Sequence, residues 1–230
     1  MRIFGLQRLS LVDYPGKTAC TVFTGGCNFR CPFCHNSALV LDPDPAEALP
    51  EAEIQAFLKK RAGLLDGVCV SGGEPLLQKD LGEFLKSVKA LGYPVKLDTN
   101  GSFPDLLAAL LKQGLVDYVA MDIKNTPEKY GKTVGLRTFD PGPVLESAAL
   151  LMKGTVPFEF RTTVVREFHE EEDFKAIGRW LRGAPRYYLQ NFVASENTIA
   201  QGLHGYTPRE LAHFRDLAAT FFQSVELRGI

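Results

Sequence analysis

Short runs rich in β-branched and aromatic residues alternate with helical patterns along the whole chain, and this alternation restricts the fold more than any other feature. The strand-like runs are Thr18 to Phe23 (TACTVF), Gly67 to Ser71 (GVCVS), Val95 to Thr99 (VKLDT), Tyr118 to Ile123 (YVAMDI), Glu159 to Val165 (EFRTTVV) and Tyr187 to Phe192 (YYLQNF). Helical patterns lie at Glu51 to Ala62, Lys79 to Leu91, Asp105 to Gln113, Pro143 to Met152, Glu171 to Leu181 and Arg209 to Phe222. Strands separated by helices pair in parallel, because parallel neighbours need a crossover connection. The crossovers are expected to be right-handed. Eight such units typically take about 250 residues, and the chain has 230. A partial (β/α)6 barrel of the TIM type with parallel strands and an open doubly wound sheet both satisfy this count. Ser224 to Leu227 adds a candidate final strand, and the proline-rich Leu41 to Pro50 (LDPDPAEALP) reads as a loop. No composition shift marks a boundary. One α/β domain is expected over residues 1–230, with a core over 18–192 and a C-terminal helix and short strand over 207–228.

Hydrophobic residues make up 45% and charged residues 23%, which suits a globular chain with a sizeable core. The formal charge of −1 gives no basic footprint, so nucleic acid is not an expected partner. The N-terminal MRIFGLQRLSLVDYPGK lacks the uninterrupted apolar segment of a signal peptide. No apolar stretch approaches a membrane span. A cytoplasmic location without membrane association is expected.

Parallel α/β folds bind ligands at the carboxyl ends of their strands, and the unusual residues fall there. Cys27, Cys31 and Cys34 (C-x₃-C-x₂-C) follow the first strand-like run. Gly72-Gly73-Glu74-Pro75 follows the second, Asp98-Thr99-Asn100-Gly101 ends the third, and Asp122-Ile123-Lys124 ends the fourth. Arg161 lies on the fifth, and Gln190-Asn191 end the sixth.

Three clustered thiols are one short of the four that a [4Fe–4S] cluster usually takes, and they leave one iron open to a small molecule. The same residues could make a Cys₃His zinc site with His35, or could be unrelated buried thiols. The other strand ends suit a zwitterionic amino acid. Glu74 can pair with an amino group. Lys124, or a cation held by Asp98 and Thr99, can offset a carboxylate.

The cysteine loop CNFRCPFCHN with GGEP, DTNG and DIK in this order resembles the radical S-adenosylmethionine superfamily, and within it the activating enzymes of glycyl radical enzymes. The opening GLQRLSLVDYPGKTACTVFTGGCNFRCPFCHN is similar to the anaerobic ribonucleoside-triphosphate reductase activating proteins. The resemblance implies that Cys27, Cys31 and Cys34 hold a [4Fe–4S] cluster whose open iron is chelated by S-adenosylmethionine. It implies that Phe33 and His35 flank the adenine. Gly72, Gly73 and Glu74 would bind the methionine amino end, Asp98 and Thr99 would lie near its carboxylate with a monovalent cation near Asp98, and Asp122 and Lys124 would contact the cofactor. Relatives that activate pyruvate formate-lyase carry a histidine in the segment that here reads YYLQNF. Phe192 or a neighbour stands at that position, with Gln190 and Asn191 as polar substitutes.

The implied reaction is reductive cleavage of the cofactor to methionine and a 5′-deoxyadenosyl radical, which takes hydrogen from a backbone glycine of a partner glycyl radical enzyme. The electron would come from a one-electron donor such as flavodoxin or ferredoxin. Anaerobic ribonucleotide reductase is the expected partner. A small-molecule substrate, such as a 7-deazaguanine precursor, and a non-catalytic zinc-stabilised binding protein are the competing readings.

Other distinctive residues have plainer expectations. Cys20 and Cys69 read as buried core thiols. His169 before the acidic run Glu170 to Asp173 reads as a helix start. His204 and His213 read as surface residues, and Trp180 as part of a core-facing helix side with Phe174, Ile177 and Leu181. Arg161 either points toward a bound carboxylate or makes a structural ion pair.

Overall fold

The computed structural model describes residues 1–41, 43–154 and 156–229. Asp42, within the expected loop Leu41 to Pro50, lies outside the described residues. The strands are β1 (Ile3–Ser10), β2 (Ala19–Thr24), β3 (Gly67–Gly72), β4 (Val95–Thr99), β5 (Tyr118–Asp122), β6 (Phe158–Val164), β7 (Tyr187–Asn191) and β8 (Val225–Arg228). They follow chain order in one eight-stranded sheet. The β2–β3, β3–β4, β6–β7 and β7–β8 pairs are parallel, whereas β1 runs antiparallel to β2. The helices are α1 (Ser37–Val40), α2 (Glu51–Lys60), α3 (Leu81–Ala90), α4 (Pro104–Lys112), α5 (Tyr130–Thr133), α6 (Gly142–Lys153), α7 (Glu171–Trp180) and α8 (Pro208–Ala218). This strand–helix succession, with a mostly parallel sheet, is the α/β class expected of a partial TIM-type barrel. None of the described helices is long and apolar enough to cross a membrane.

Strand β1 was not anticipated from the sequence. It is half-buried along its first half and exposed at Gln7, Arg8 and Leu9, so it shows neither a clean alternation nor a continuous apolar run. The expected run Thr18 to Phe23 becomes its partner β2, shifted by one residue.

The chain forms two compact units. The first comprises Met1–Asn28, Ala38–Ala120 and a short segment ending at Pro157; the second comprises Phe29–Ser37, Met121–Gly154 and the chain from Phe158 onward. In the first unit, α3 buries Leu81, Phe84, Leu85 and Val88, the i, i+3, i+4, i+7 stripe of an amphipathic helix. Val22, Val68, Val70 and Leu97 are fully buried in its strands.

In the second unit, α7 opens on Glu171, Glu172 and Asp173, where carboxylates meet the positive end of the helix. Asp173 caps it by accepting from the Glu170 N–H at 2.8 Å, and Lys129 Nζ donates to the same carboxylate at 2.9 Å. Helix α8 has a full capping box, with Thr207 Oγ1 accepting from the Glu210 N–H and Glu210 accepting from the Thr207 N–H. The Phe174 and Phe214 rings stack at 4.6 Å and join the two helices. Trp180 is only half-buried. The inward face of α7 instead includes Gly178, against which the Phe221 ring packs so closely that a Cβ would lie 2.3 Å from it.

Candidate active site

In the first unit, the end of β3 closes onto the segment that leads to Cys27. The Gly73 N–H donates to Thr24 O at 2.9 Å and the Glu74 N–H to Gly26 O at 2.8 Å. Only glycine permits this approach. Gly72 has φ 122°, and a Cβ there would lie 2.3 Å from Thr24 O. At Gly73 a Cβ would lie 2.0 Å from Gly26 O and 3.4 Å from the Cys27 Cβ.

Glu74 is fully buried. Its carboxylate accepts from the Leu76 N–H at 3.0 Å, Thr99 Oγ1 at 2.8 Å and the Asn100 N–H at 2.7 Å. The side chain expected to meet an amino group thus braces GGEP against DTNG. The Asn100 amide nitrogen donates to the Cys27 Sγ at 3.8 Å, a contact the sequence reading did not anticipate.

Asp98 is held by Lys96, whose ammonium donates to Oδ1, and by Ser71 Oγ, which donates to Oδ2 at 3.1 Å. Lys96 carried no expectation. The available signal was its position two residues before Asp98, which puts both on one face of the strand. Cys20 and Cys69 are buried, as expected, and burial pushes the Cys20 thiol up to about 12.

In the second unit, Cys31 is buried and Cys34 half-buried, with the Cys34 N–H donating to Cys31 O at 3.0 Å. Phe33 is buried against the Phe168 ring at 5.7 Å. His35 is exposed, stacks on Phe192 at 5.2 Å and lies with Nε2 2.7 Å from Val193 O. Of the polar residues in YYLQNF, Asn191 is occupied by Tyr206, donating to its carbonyl at 2.8 Å and accepting from its N–H at 2.9 Å.

Asp122 ends β5 between two cations, Lys124 Nζ at 2.9 Å and Arg161 Nε at 2.9 Å. Burial alone would raise its pKa, but Arg161 and Lys124 outweigh that and hold the carboxyl well below the usual range. Burial would likewise lower Lys124, and Asp122 and then Cys31 outweigh it and push the ammonium up. Arg161 is therefore an ion-pair partner of Asp122.

The backbone at Lys124 is fixed from both sides. Its N–H donates to Tyr130 Oη at 3.2 Å, and His169 Nε2 donates to its carbonyl at 2.8 Å. His169 precedes the acidic start of α7, as expected, and is fully buried; its proximity to Lys124 had no local sequence signal. His204 and His213 are exposed, as expected, and pair with Glu167 and Glu171.

A profile of the Radical SAM superfamily matches residues 21–181. A Methanocaldococcus jannaschii protein assigned as a glycyl-radical enzyme activating enzyme is 36% identical over 234 residues, covering 99% of this chain and 96% of that one. The pyruvate formate-lyase-activating enzyme of Listeria monocytogenes is 30% identical over 200 residues, covering 80% of this chain and 77% of that one. Among solved structures, Streptococcus suis SuiB bound to S-adenosylmethionine matches with a TM-score of 0.71 at 14% identity, over 90% of this chain and 49% of that one, a likeness of fold. The superfamily uses a [4Fe–4S] cluster and S-adenosylmethionine. The chain belongs to the radical SAM superfamily, as an enzyme related along nearly its whole length to a glycyl-radical enzyme activating enzyme.

Proposed function

We propose that this enzyme generates the glycyl radical of a partner protein, and that the partner is an anaerobic ribonucleotide reductase. The full-length match to the M. jannaschii protein carries the first part. The opening segment GLQRLSLVDYPGK favours the second.

Cys27, Cys31 and Cys34 would hold the cluster. Three soft thiolate donors fit iron–sulfur chemistry. Cys27 and Cys34 are half-buried, and the bare Cα of Gly73 lets its strand end close onto the backbone just before Cys27. When bound, the cluster and S-adenosylmethionine supply one-electron cleavage to methionine and a 5′-deoxyadenosyl radical.

The rest is positioning. Lys124 would offset the cofactor carboxylate. The backbone at Gly72 and Gly73 would receive its amino end. Glu74, with at least three of roughly four lone-pair sites already used, would chiefly hold that backbone in place. Phe33 and His35 would flank the adenine. A flavodoxin- or ferredoxin-type protein would supply the electron, in the cytoplasm.

The test is anaerobic. Reduced, cluster-loaded enzyme with S-adenosylmethionine and an anaerobic ribonucleotide reductase should give a glycyl radical signal by electron paramagnetic resonance, with methionine and 5′-deoxyadenosine as products. Cys34→Ala should abolish both products and Cys20→Ala should not. Cofactor cleavage without a glycyl radical would move the substrate elsewhere. Wild-type rates from Cys34→Ala would overturn the ligand assignment.

A further inference from the structure

The chain between β7 and α8 leaves the end of β7, reaches the cysteine loop and returns. Its two ends are tied at a neck, where the Asn191 side chain donates to Tyr206 O at 2.8 Å and accepts from the Tyr206 N–H at 2.9 Å. Gly205 lets this neck close: a Cβ there would lie 2.2 Å from Phe192 O and 2.8 Å from Asn191 Oδ1. The returning limb is fixed to the chain after β6. The Arg166 N–H donates to His204 O at 2.9 Å, and the His204 N–H donates to the Glu167 carboxylate at 3.1 Å. A compact surface loop whose ends meet and whose own groups pack it is an Ω-loop, a form that is frequently functional.

Inside the loop, Thr198 is 7% exposed. Its hydroxyl lies 2.8 Å from Ser195 O and 2.9 Å from Ala200 O, as donor to either, and accepts from Gln201 Nε2 at 3.3 Å. Ala200 in turn reaches out of the loop, its N–H donating to Pro32 O at 2.8 Å. Pro32 is the second residue of the turn from Cys31 to Cys34, which the Cys34 N–H closes by donating to Cys31 O at 3.0 Å. The carbonyl at that place takes no part in the turn's own hydrogen bond and so can accept from outside. At the start of the same loop, Val193 O lies 2.7 Å from His35 Nε2, and the Phe192 ring stacks on the His35 ring at 5.2 Å. The loop therefore grips the cysteine segment on both sides of Cys34.

We propose that the loop from Phe192 to Gly205 is a clamp that holds Cys31 and Cys34 in ligand geometry before any cluster is present, with Thr198 and Gly205 as its positioning residues. Groups behind metal ligands orient them. Here Thr198 fixes Ala200, Ala200 fixes Pro32, and Pro32 lies in the turn whose two ends are the cysteines. This role depends on Cys31 and Cys34 being the cluster ligands of the proposed function.

Thiol labelling of the full chain without its cluster tests the clamp, since thiol reactivity follows exposure. The protein is treated anaerobically with iodoacetamide, and each cysteine is followed by peptide mass spectrometry. Thr198→Val removes the hydroxyl and keeps the shape. It should label Cys31 and Cys34 several-fold faster than wild type, with the buried Cys20 and Cys69 unchanged. Thr198→Ser restores the hydroxyl and should return both rates to near the wild-type values. Ile177→Val weakens the buried face of α7 in the same unit and should leave them unchanged. After anaerobic reconstitution, Thr198→Val should also lose iron to a chelator several-fold faster than wild type.

Wild-type labelling of Cys31 and Cys34 in Thr198→Val would overturn the proposal. So would a matching rise at Cys20 and Cys69 or in Ile177→Val, which would make Thr198 a general packing residue. If Thr198→Val does not fold, Gly205→Ala opens the neck instead and is scored by the same pattern. A wild-type protein that takes up no iron would overturn the ligand reading, and the labelling would still decide the clamp.

Discussion

The amide nitrogen of Asn100 lies 3.8 Å from the sulfur of Cys27, and the rest of that amide is locked. Nδ2 also donates to Asn28 Oδ1 at 2.9 Å, and Oδ1 accepts from the Ser102 N–H at 2.9 Å and Ser102 Oγ at 2.5 Å. Asn28 Nδ2 donates to Ser102 Oγ at 2.9 Å and closes the ring of side chains. The N–H is therefore aimed at the thiol by the protein itself.

Hydrogen bonds to ligand sulfurs are among the levers that set iron–sulfur reduction potentials. A donor disperses thiolate charge and favours the reduced, more negative cluster. Asn100→Leu should therefore lower the midpoint potential, because its backbone N–H still serves Glu74 while the side-chain donor is lost. A redox titration followed by electron paramagnetic resonance measures the shift. An unchanged midpoint would mean that the contact has no electrostatic weight.

Glu74 gives a prediction about stability. Alanine there removes the acceptor for the Leu76 N–H, the Asn100 N–H and the Thr99 hydroxyl in a fully buried place. Each unsatisfied group costs about 1–3 kcal/mol, and water entering the gap recovers part of it, so a net loss of about 2–4 kcal/mol is expected. Urea unfolding of Glu74→Ala measures it. A loss under about 1 kcal/mol would show that the carboxylate is held for a ligand and does not brace the loop.

The cysteine loop, GGEP, DTNG and DIK were all legible in the sequence because each is a local pattern with local chemistry. What stayed hidden depends on side chains that meet only after folding. Lys96 looks like an ordinary strand lysine until the register sets it against Asp98 and Cys69. His169 is 45 residues from the carbonyl it supports. Trp180 fits the apolar spacing of α7, but the close packing at Gly178 turns the buried face away from it. Strand β1 owes its existence to β2, with little pattern of its own. The six expected helices all form but are shifted at their ends, where capping decides, and the short α1 and α5 were not expected. Helix α8 ends at Ala218, four residues before the buried Phe222 where the apolar spacing places its end.

Gly73 should be intolerant of a side chain for a reason specific to cluster loading. The nearest atom to an added Cβ is the backbone carbonyl of Gly26 at 2.0 Å, which cannot swing aside as a side-chain tip would. The chain before Cys27 would have to move. Gly73→Ala should fold with a normal circular dichroism spectrum but retain several-fold less iron after anaerobic reconstitution. Gly82→Ala is the control, since its nearest neighbour is Leu110 Cδ2 at 3.8 Å, and alanine within α3 should be slightly stabilising, by roughly 0.5–1 kcal/mol. Equal iron content in the two variants would mean that the loop accommodates the shift.

His169 should give the fold a sensitivity to mild acid. Burial lowers its pKa below the ordinary 6.5, against backbone hydrogen bonds to Lys124 and Val165 that act the other way. Burial favours the neutral ring, in which the Nε2–H donates to Lys124 O at 2.8 Å and Nδ1 accepts from the Val165 N–H at 3.1 Å, whereas Val165 O, 3.2 Å from Nδ1, favours the protonated ring. The unfolded chain titrates near the ordinary value, so between the two pKa values it binds more protons than the folded chain. The stabilising contribution is therefore whole above pH 6.5 and falls as pH drops from there through the folded-state pKa. Wild-type protein should melt at a lower temperature at about pH 5.5 than at about pH 7.5. His169→Gln, which can still donate to the Lys124 carbonyl but does not titrate, should be less stable at the higher pH and lose less on acidification. The exposed His204 and His213 remain in both proteins, so the difference between the two curves isolates the buried ring. A wild-type curve no steeper than that of the variant would place the acid sensitivity on another group.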